Sequence, residues 1–403
     1  MQSTIDFINT PVVDVVNRII LDSVKAGASD IHLDHNENFL KVRIRIDGIL
    51  NDYADIPNEV KNNVITRIKI LSGMNITETR LPQDGAIKTE LGGMDLDMRV
   101  SALPTKKGEK IVIRILDYSR SMQGIEYLFF SEENYKKILK MISAPNGIIL
   151  VTGATGSGKS TTVYSFLKKL NVKGTNLITV EDPVEMEIEG INQVQVNSDI
   201  GLDFATVLRS ILRQDPNVIM IGEIRDTETA QIAVRASITG HLVLSTLHTN
   251  NSLTTIERLI DMDVERYLLA SALSGIVSQK LARKLCDKCK KLRPTNPYET
   301  QLFKNYLGLD INQVYEAVGC PECSGGYKGR IALQEVLLIS PNIRDAISAK
   351  ISKSELRDLV YSDDVITLLQ DGLYKVIAGF TSTEEVIKLV EADDELNAAT
   401  KLK

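Results

Sequence analysis

The chain has 403 residues, of which 43% are apolar and 25% charged, and its net charge is −6. That length exceeds one ordinary domain, and the composition is that of a globular protein with real cores. The acidic balance, the absence of Trp and the 5% aromatic content exclude a broadly basic nucleic-acid binder and leave few stacking platforms for single strands. No apolar run approaches the roughly 20 residues of a membrane span. Met1–Asp6 lacks the basic start and apolar stretch of a secretory leader. The expected compartment is therefore the cytoplasm, with any membrane attachment made through partners.

The first ~120 residues read as α+β. Val12, Val16, Ile19, Ile20 and Val24 recur at helical spacing after Pro11, and Gly27 is the expected stop. Leu40, Val42, Ile44 and Ile46 alternate with charged residues up to the turn Asp47-Gly48. Met94, Leu96, Met98 and Val100 alternate in the same way, and Lys110–Leu116 gives a third strand. On this pattern alone Arg43, Arg45, Arg99 and Arg114 belong to the solvated face of a sheet. His32 and His35 lie near an expected loop and carry no assigned role. A polar linker follows near Asp117–Gly124, and a helix then ends at Pro145-Asn146-Gly147. Short apolar runs at Ile148–Thr152, Asn176–Val180, Val218–Ile221 and Leu242–Leu244 alternate with helical stretches. That alternation predicts a parallel sheet covered on both faces. From Arg330 onward the pattern is mostly helical and ends in a polar tail, Glu391–Lys403.

The first of those runs leads into Gly153-Ala154-Thr155-Gly156-Ser157-Gly158-Lys159-Ser160, which fits G-x-x-x-x-G-K-[ST] at every fixed position. Thr161–Leu170 continues as a helix. Glycines let backbone N–H groups curl around phosphate oxygens, and the helix N-terminus adds partial positive charge. Lys159 can reach the β and γ phosphates and the Ser160 hydroxyl can bind Mg²⁺. The nucleotide-binding candidates are therefore Gly153, Ala154, Thr155, Gly156, Ser157, Gly158, Lys159, Ser160 and Thr161.

Two acidic clusters follow strand-like runs. Glu181-Asp182-Pro183-Val184-Glu185 lies where ligands bind in open α/β sheets, and a carboxylate there can orient or deprotonate an attacking water. Val218–Ile221 followed by Gly222-Glu223 resembles a Walker B strand, with Gly222 where an Asp is common, so Glu223 is left to act on Mg²⁺ through water. Helix capping or a surface ion pair remains the alternative for each carboxylate. His248 follows a strand end, where a γ-phosphate sensor lies in a RecA-type core, whereas His241 precedes the strand and reads as structural. Cys286-Asp287-Lys288-Cys289 and Cys320-Pro321-Glu322-Cys323 are two C-x-x-C pairs. Their pairing suggests a tetrahedral, structural Zn²⁺ site with all four positions filled.

Taken together, these residues resemble the type II secretion / type IV pilus assembly ATPase family over nearly the whole chain. The boxes run in the family's order. They are the Walker A loop, the acidic box Thr179–Glu185, the Walker B stretch from Arg213-Gln214-Asp215-Pro216 through Asp226, and the His box from Thr239-Gly240-His241 through Asn250. Ala28-Ser29-Asp30-Ile31-His32 and Arg80-Leu81-Pro82-Gln83-Asp84-Gly85 resemble its N-terminal domain. The resemblance implies an α/β fold. A PAS-like domain (1–117) and a linker (118–130) precede a RecA-like P-loop core (131–280), a Cys₄ zinc insertion (281–330) and a helical C-terminal region with its tail (331–403). It implies ATP, Mg²⁺ and Zn²⁺ as ligands, with Glu185 as catalytic base, Glu223 as Walker B acid and His248 as phosphate sensor. Arg99 and Arg114 are implied to close on the γ-phosphate, with Arg80 a weaker third.

The implied assembly is a homohexamer on the cytoplasmic side of the inner membrane. It would act on a polytopic platform protein and on pilin or pseudopilin machinery, with no nucleic acid expected. The Cys₄ insertion favours assembly over pilus retraction, whose ATPases generally lack it. A retraction ATPase, a nucleic-acid translocase on the same core and a non-catalytic scaffold are the alternatives. The chain is expected to start almost directly at the PAS-like domain, without the extra N-terminal domain of longer assembly members.

Overall fold

The computed structural model describes residues 6–116, 124–361 and 365–391. Residues 117–123, which include the first part of the expected linker, and the polar tail from 392 lie outside these. The chain divides into two compact units, Met1–Tyr118 and Ser119–Lys403.

In the first unit, period-two sequences give six strands: β1 (Ala28–His35), β2 (Phe39–Ile46), β3 (Ile49–Pro57), β4 (Gln83–Leu91), β5 (Met94–Thr105) and β6 (Gly108–Leu116). They form one sheet in the order β3-β2-β1-β6-β5-β4, with every neighbour antiparallel. Alternation sends Ile31, Leu33, Val42, Ile44, Met98, Val100, Ile111 and Ile113 into a core shared with helices α1 (Val12–Lys25) and α2 (Asn58–Leu71). The opposite face carries ion pairs. Arg43 and Lys110 meet Asp34 at 2.7 and 2.6 Å, and Arg114 meets Asp30 at 3.0 Å. His32 and His35, expected near a loop, lie within β1. Burial pushes both imidazoles below their ordinary value, so they are neutral at pH 7.

The second unit is built on a seven-stranded sheet ordered β15-β12-β7-β11-β10-β8-β9. Its strands are β7 (Gly147–Thr152), β8 (Leu177–Glu181), β9 (Asn192–Gln195), β10 (Val218–Ile221), β11 (Leu242–Leu247), β12 (Leu273–Leu285) and β15 (Tyr327–Leu338). β12 to β9 run parallel, and β15 closes the edge antiparallel to β12. β7 is buried on both faces because its alternate residues serve two cores. Ile148 and Leu150 point into one, and Ile149 and Val151 into the other. The second core lies under helices α3 (Glu132–Ile142) and α4 (Lys159–Leu170), the first under α5 (Phe204–Ile211), α6 (Thr227–Ile238) and α7 (Ser252–Asp261).

One strand, β15, holds residues 327–338 before the helices expected from Arg330 begin. Ile331, Leu333, Val336 and Leu337 on its two faces join three separate cores, so the apolar run reads as a helix when its burial on both faces is unknown. Helices do follow, at Pro341–Ser348, Lys353–Val360, Leu368–Ile377 and Thr383–Glu391. A two-stranded ribbon, β13 (Lys291–Pro294) with β14 (Gln313–Glu316), lies between β12 and β15 in the chain.

Candidate active site

The phosphate loop joins the C-terminal end of β7 to α4. Gly153, Gly156 and Gly158 have φ of 148°, 79° and 89°, a region that L side chains rarely adopt. A Cβ on Gly153 would also sit 2.4 Å from the Gln279 carbonyl oxygen, so this position needs glycine on two counts. Lys159 opens the helix and donates to the carbonyls of Gly153 and Ala154 at 2.8 and 3.1 Å. Burial lowers its pKa and the nearby Glu223 carboxylate opposes that shift. From the neighbouring strand, the buried Gln279 donates through Nε2 to the Ser157 carbonyl (2.7 Å) and accepts from the Thr162 hydroxyl (2.8 Å).

The acidic box begins inside the sheet. Glu181 ends β8 and is 2% exposed. Its carboxylate accepts from the Tyr164 hydroxyl, from Thr179 Oγ1 (2.5 Å) and from Gln193 Nε2 (3.0 Å). Tyr164 in turn accepts the backbone N–H of Glu185 at 3.2 Å. Burial beside a carboxylate pushes this phenol well above its ordinary range, so it stays protonated as a donor. Glu181 thus ties α4 to β8 and β9, and Glu185 is anchored by its main chain.

At the end of β10, Gly222 donates to the Val180 carbonyl (2.8 Å) and accepts from Thr246 Oγ1 (2.7 Å). A Cβ there would lie 3.3 Å from Glu181 Cα, so even a methyl group would crowd the adjacent strand. Glu223 follows. Its carboxylate takes Arg225 on one oxygen, and His248 Nε2 lies 3.4 Å from the other. Arg225 also reaches Asp182 at 3.4 Å. The ends of β8, β10 and β11 therefore carry one charged cluster next to the loop that follows β7. Asp226 is occupied otherwise, capping α6 through Thr229 N at 2.8 Å. His241 holds the Ala236 carbonyl through Nδ1 (2.9 Å) at the start of β11, the far end of that strand from His248.

Within the first unit, Arg99 and Arg114 are Cα partners on β5 and β6. Arg114 is braced by Asp30, and its side chain is 60% exposed. Arg80 pairs with Glu78 at 2.8 Å.

The four cysteines converge. Their Sγ atoms all lie within 4.8 Å of one another, with separations of 4.0 Å (Cys286–Cys320), 3.7 Å (Cys289–Cys323) and 3.6 Å (Cys320–Cys323). A tetrahedron with Zn–S near 2.3 Å has edges of about 3.8 Å, so the sulfurs fit that ion. Gly319 and Gly326 have φ of 105° and 91°, which lets the chain turn tightly around the cluster.

Sequence reasoning gave no role to three residues of this site. Arg225 was visible only as a member of the Walker B stretch. Tyr164 was indistinguishable from the apolar stripe of α4, and Gln279 lies on a strand that the sequence pattern did not reveal.

The family described as "Type II/IV secretion system protein" matches residues 8–388. The type II secretion system protein E of Pectobacterium carotovorum is 44% identical over 386 residues, covering 96% of this chain and 77% of that protein. The type IV pilus assembly ATPase PilB of Thermus thermophilus is 45% identical, over 92% of this chain and 42% of that protein. Among solved structures, the ADP-bound pilus retraction motor PilT superposes with a TM-score of 0.63 at 26% identity, over 95% of this chain and 98% of that one. The Legionella pneumophila ATPase DotB shares the fold, with a TM-score of 0.72 at 21% identity over 97% of this chain and 99% of its own. A phosphate loop facing a carboxylate–histidine–arginine cluster, on a chain so closely related along its length, is that of an ATP hydrolase belonging to the type II/IV secretion system protein family.

Proposed function

We propose that this chain is the motor of a filament-assembly machine, hydrolysing ATP as a homohexamer to drive assembly of a type IV pilus or a type II secretion pseudopilus. The observation that carries this reading is the cluster of Glu223, His248 and Arg225 at the strand ends beside the phosphate loop. Lys159 and the loop N–H groups bind the phosphates. A phosphate oxygen is a charged acceptor and draws Lys159 from the neutral carbonyls it now contacts. Ser160 and, through water, Glu223 hold Mg²⁺, which neutralises phosphate charge when bound. Glu185 orients and deprotonates the attacking water. His248 senses the γ-phosphate, and Arg99 and Arg114 neutralise the charge that develops there. Cys286, Cys289, Cys320 and Cys323 hold a structural Zn²⁺.

The proposed partners are a polytopic inner-membrane platform protein and the pilin or pseudopilin machinery, approached from the cytoplasmic side. Among the described residues no helix is long and apolar enough to cross a membrane, in keeping with attachment through those partners. The likeness to the retraction motor PilT supports a second reading as a retraction ATPase, and the four-cysteine cluster favours assembly over it. Purified protein tests the chemistry: Lys159→Ala and Glu223→Gln each abolish phosphate release. Wild-type release by Glu223→Gln would remove the role given to that carboxylate.

A further inference from the structure

We infer that Gln279 is a positioning residue for nucleotide binding: its side-chain amide fixes the orientation of the Ser157–Gly158 peptide and so aims the Gly158 N–H into the phosphate cradle. The inference rests on the phosphate loop as the nucleotide site and adds a residue to it that lies more than a hundred positions away in sequence.

The geometry comes from sheet register. β12 lies parallel to β7, with Ser278 opposite Thr152. Residue 279 is thus the first on β12 beyond the end of β7, beside the point where the chain turns into the loop. Gln279 is 1% exposed, and its amide is used at both ends. Nε2 donates to the Ser157 carbonyl at 2.7 Å, and Oε1 accepts from Thr162 Oγ1 at 2.8 Å. One side chain therefore ties the middle of the loop to the first turn of α4. Its main-chain carbonyl oxygen lies 2.4 Å from where a Cβ of Gly153 would be, and its side-chain Nε2 lies 3.0 Å from that of Gly158.

The consequence follows from peptide planarity. The Ser157 carbonyl and the Gly158 N–H belong to one trans unit, so they point in opposite directions. Gly158 has φ of 89° and no side chain to hold its orientation, and a peptide between a serine and such a glycine can flip at low cost. Holding the carbonyl against β12 turns the N–H to the other side, where the loop's amides converge on an anion. A flipped peptide would present an oxygen to the phosphates.

The test uses the full chain, with ADP and ATP affinities by titration calorimetry and steady-state KM and kcat beside them. Gln279→Met keeps the volume and removes both polar ends. ADP affinity is expected to fall about tenfold, and KM to rise with kcat within about threefold, the loss of one buried hydrogen bond to the loop. Gln279→Glu keeps the length and the acceptor for Thr162 but removes the donor, and it is expected to bind at least as weakly. Thr162→Val breaks only the helix end of the clamp and is expected to bind within about threefold of wild type. Wild-type affinity in Gln279→Met or Gln279→Glu overturns the inference. So does equal weakening by Thr162→Val, which would make Gln279 a helix anchor, or a fall in kcat with affinity unchanged. If Lys159→Ala binds ADP as wild type does, the loop itself is not the nucleotide site and the reading beneath this inference fails separately.

Discussion

Tyr164→Phe removes one oxygen and leaves a ring of the same shape in place. The hydroxyl donates to Glu181 and accepts from Glu185 N, so the change strips a donor from a carboxylate that is 2% exposed. Thr179 and Gln193 both bind the other oxygen of Glu181, so the carboxylate keeps two donors. No cavity opens, and the transfer contribution is small. The loss is that of one hydrogen bond to a buried charge, about 2 kcal/mol. The Glu185 amide is only part-buried, so water can replace its lost acceptor and no further stability penalty is counted. That amide does lose its fixed position, however, and with it the carboxylate proposed as the base. Urea unfolding of the variant should show a lower midpoint at an unchanged slope, equivalent to a stability loss of about 2 kcal/mol. ATP turnover should fall about tenfold in kcat while KM holds, because the loop and Lys159 are untouched. A stability loss below about 0.5 kcal/mol with normal kcat would refute both the energetic and the positioning argument.

Three further outcomes are expected. Zinc analysis of reduced protein should find one ion per chain, and Cys320→Ser should bind it markedly more weakly; a folded, reduced sample without metal would refute the tetrahedral reading of the sulfurs. Glu299 is 2% exposed and gripped by the Arg293 guanidinium at 2.7 and 2.8 Å and by Asn296 N at 3.0 Å. Burial raises its carboxyl, but Arg293 and Asn296 outweigh that and hold it below its ordinary value. A depressed carboxyl stabilises the fold above its unfolded value near 4.3 and loses that contribution as pH falls through the folded value. Glu299→Gln should therefore cost about 2–3 kcal/mol at pH 7 and progressively less in acid, and an equal gap in urea midpoints at pH 3 and pH 7 would contradict this. Gly222→Ala should lower stability by about 1–2 kcal/mol, measured by thermal unfolding, because its methyl group meets the Glu181 backbone; an unchanged melting temperature would refute the crowding argument.

The sequence was most legible where local chemistry dictates local structure. G-x-x-x-x-G-K-[ST] requires positive φ at fixed places, and Gly153, Gly156 and Gly158 adopt it. Alternation in Met94–Val100 and the short apolar runs of β7, β10 and β11 locate strands because burial on one or two faces has a distinct period. β12 and β15 were hidden. Their residues serve different cores along one strand, so Leu273–Leu285 shows no clean period. Contacts made across the sheet were equally invisible. Nothing near Glu181 in sequence announces that Tyr164, 17 residues earlier, occupies it, and nothing near Ser157 points to Gln279, 122 residues later.

The pairing of β12 with β15 has a consequence for how the cysteine segment could be lost or gained. Residues 286–326 leave the sheet and return to it at adjacent rungs, since Leu285 faces Tyr327 and Cys286 N bonds to the Gly326 carbonyl. As topology the segment is detachable: a short turn at that rung would close an uninterrupted hairpin and leave the catalytic sheet whole. As packing it is not. Leu302, Phe303 and Val314 from within it share a core with Leu368, Leu373, Val376, Val386 and Val390, so excision would strip the terminal helices of one wall. A lineage that discards the cysteine segment must therefore rewrite its last two helices as well, and a chimera that swaps only that segment should emerge as an open, sticky C-terminus on an otherwise intact nucleotide-binding sheet.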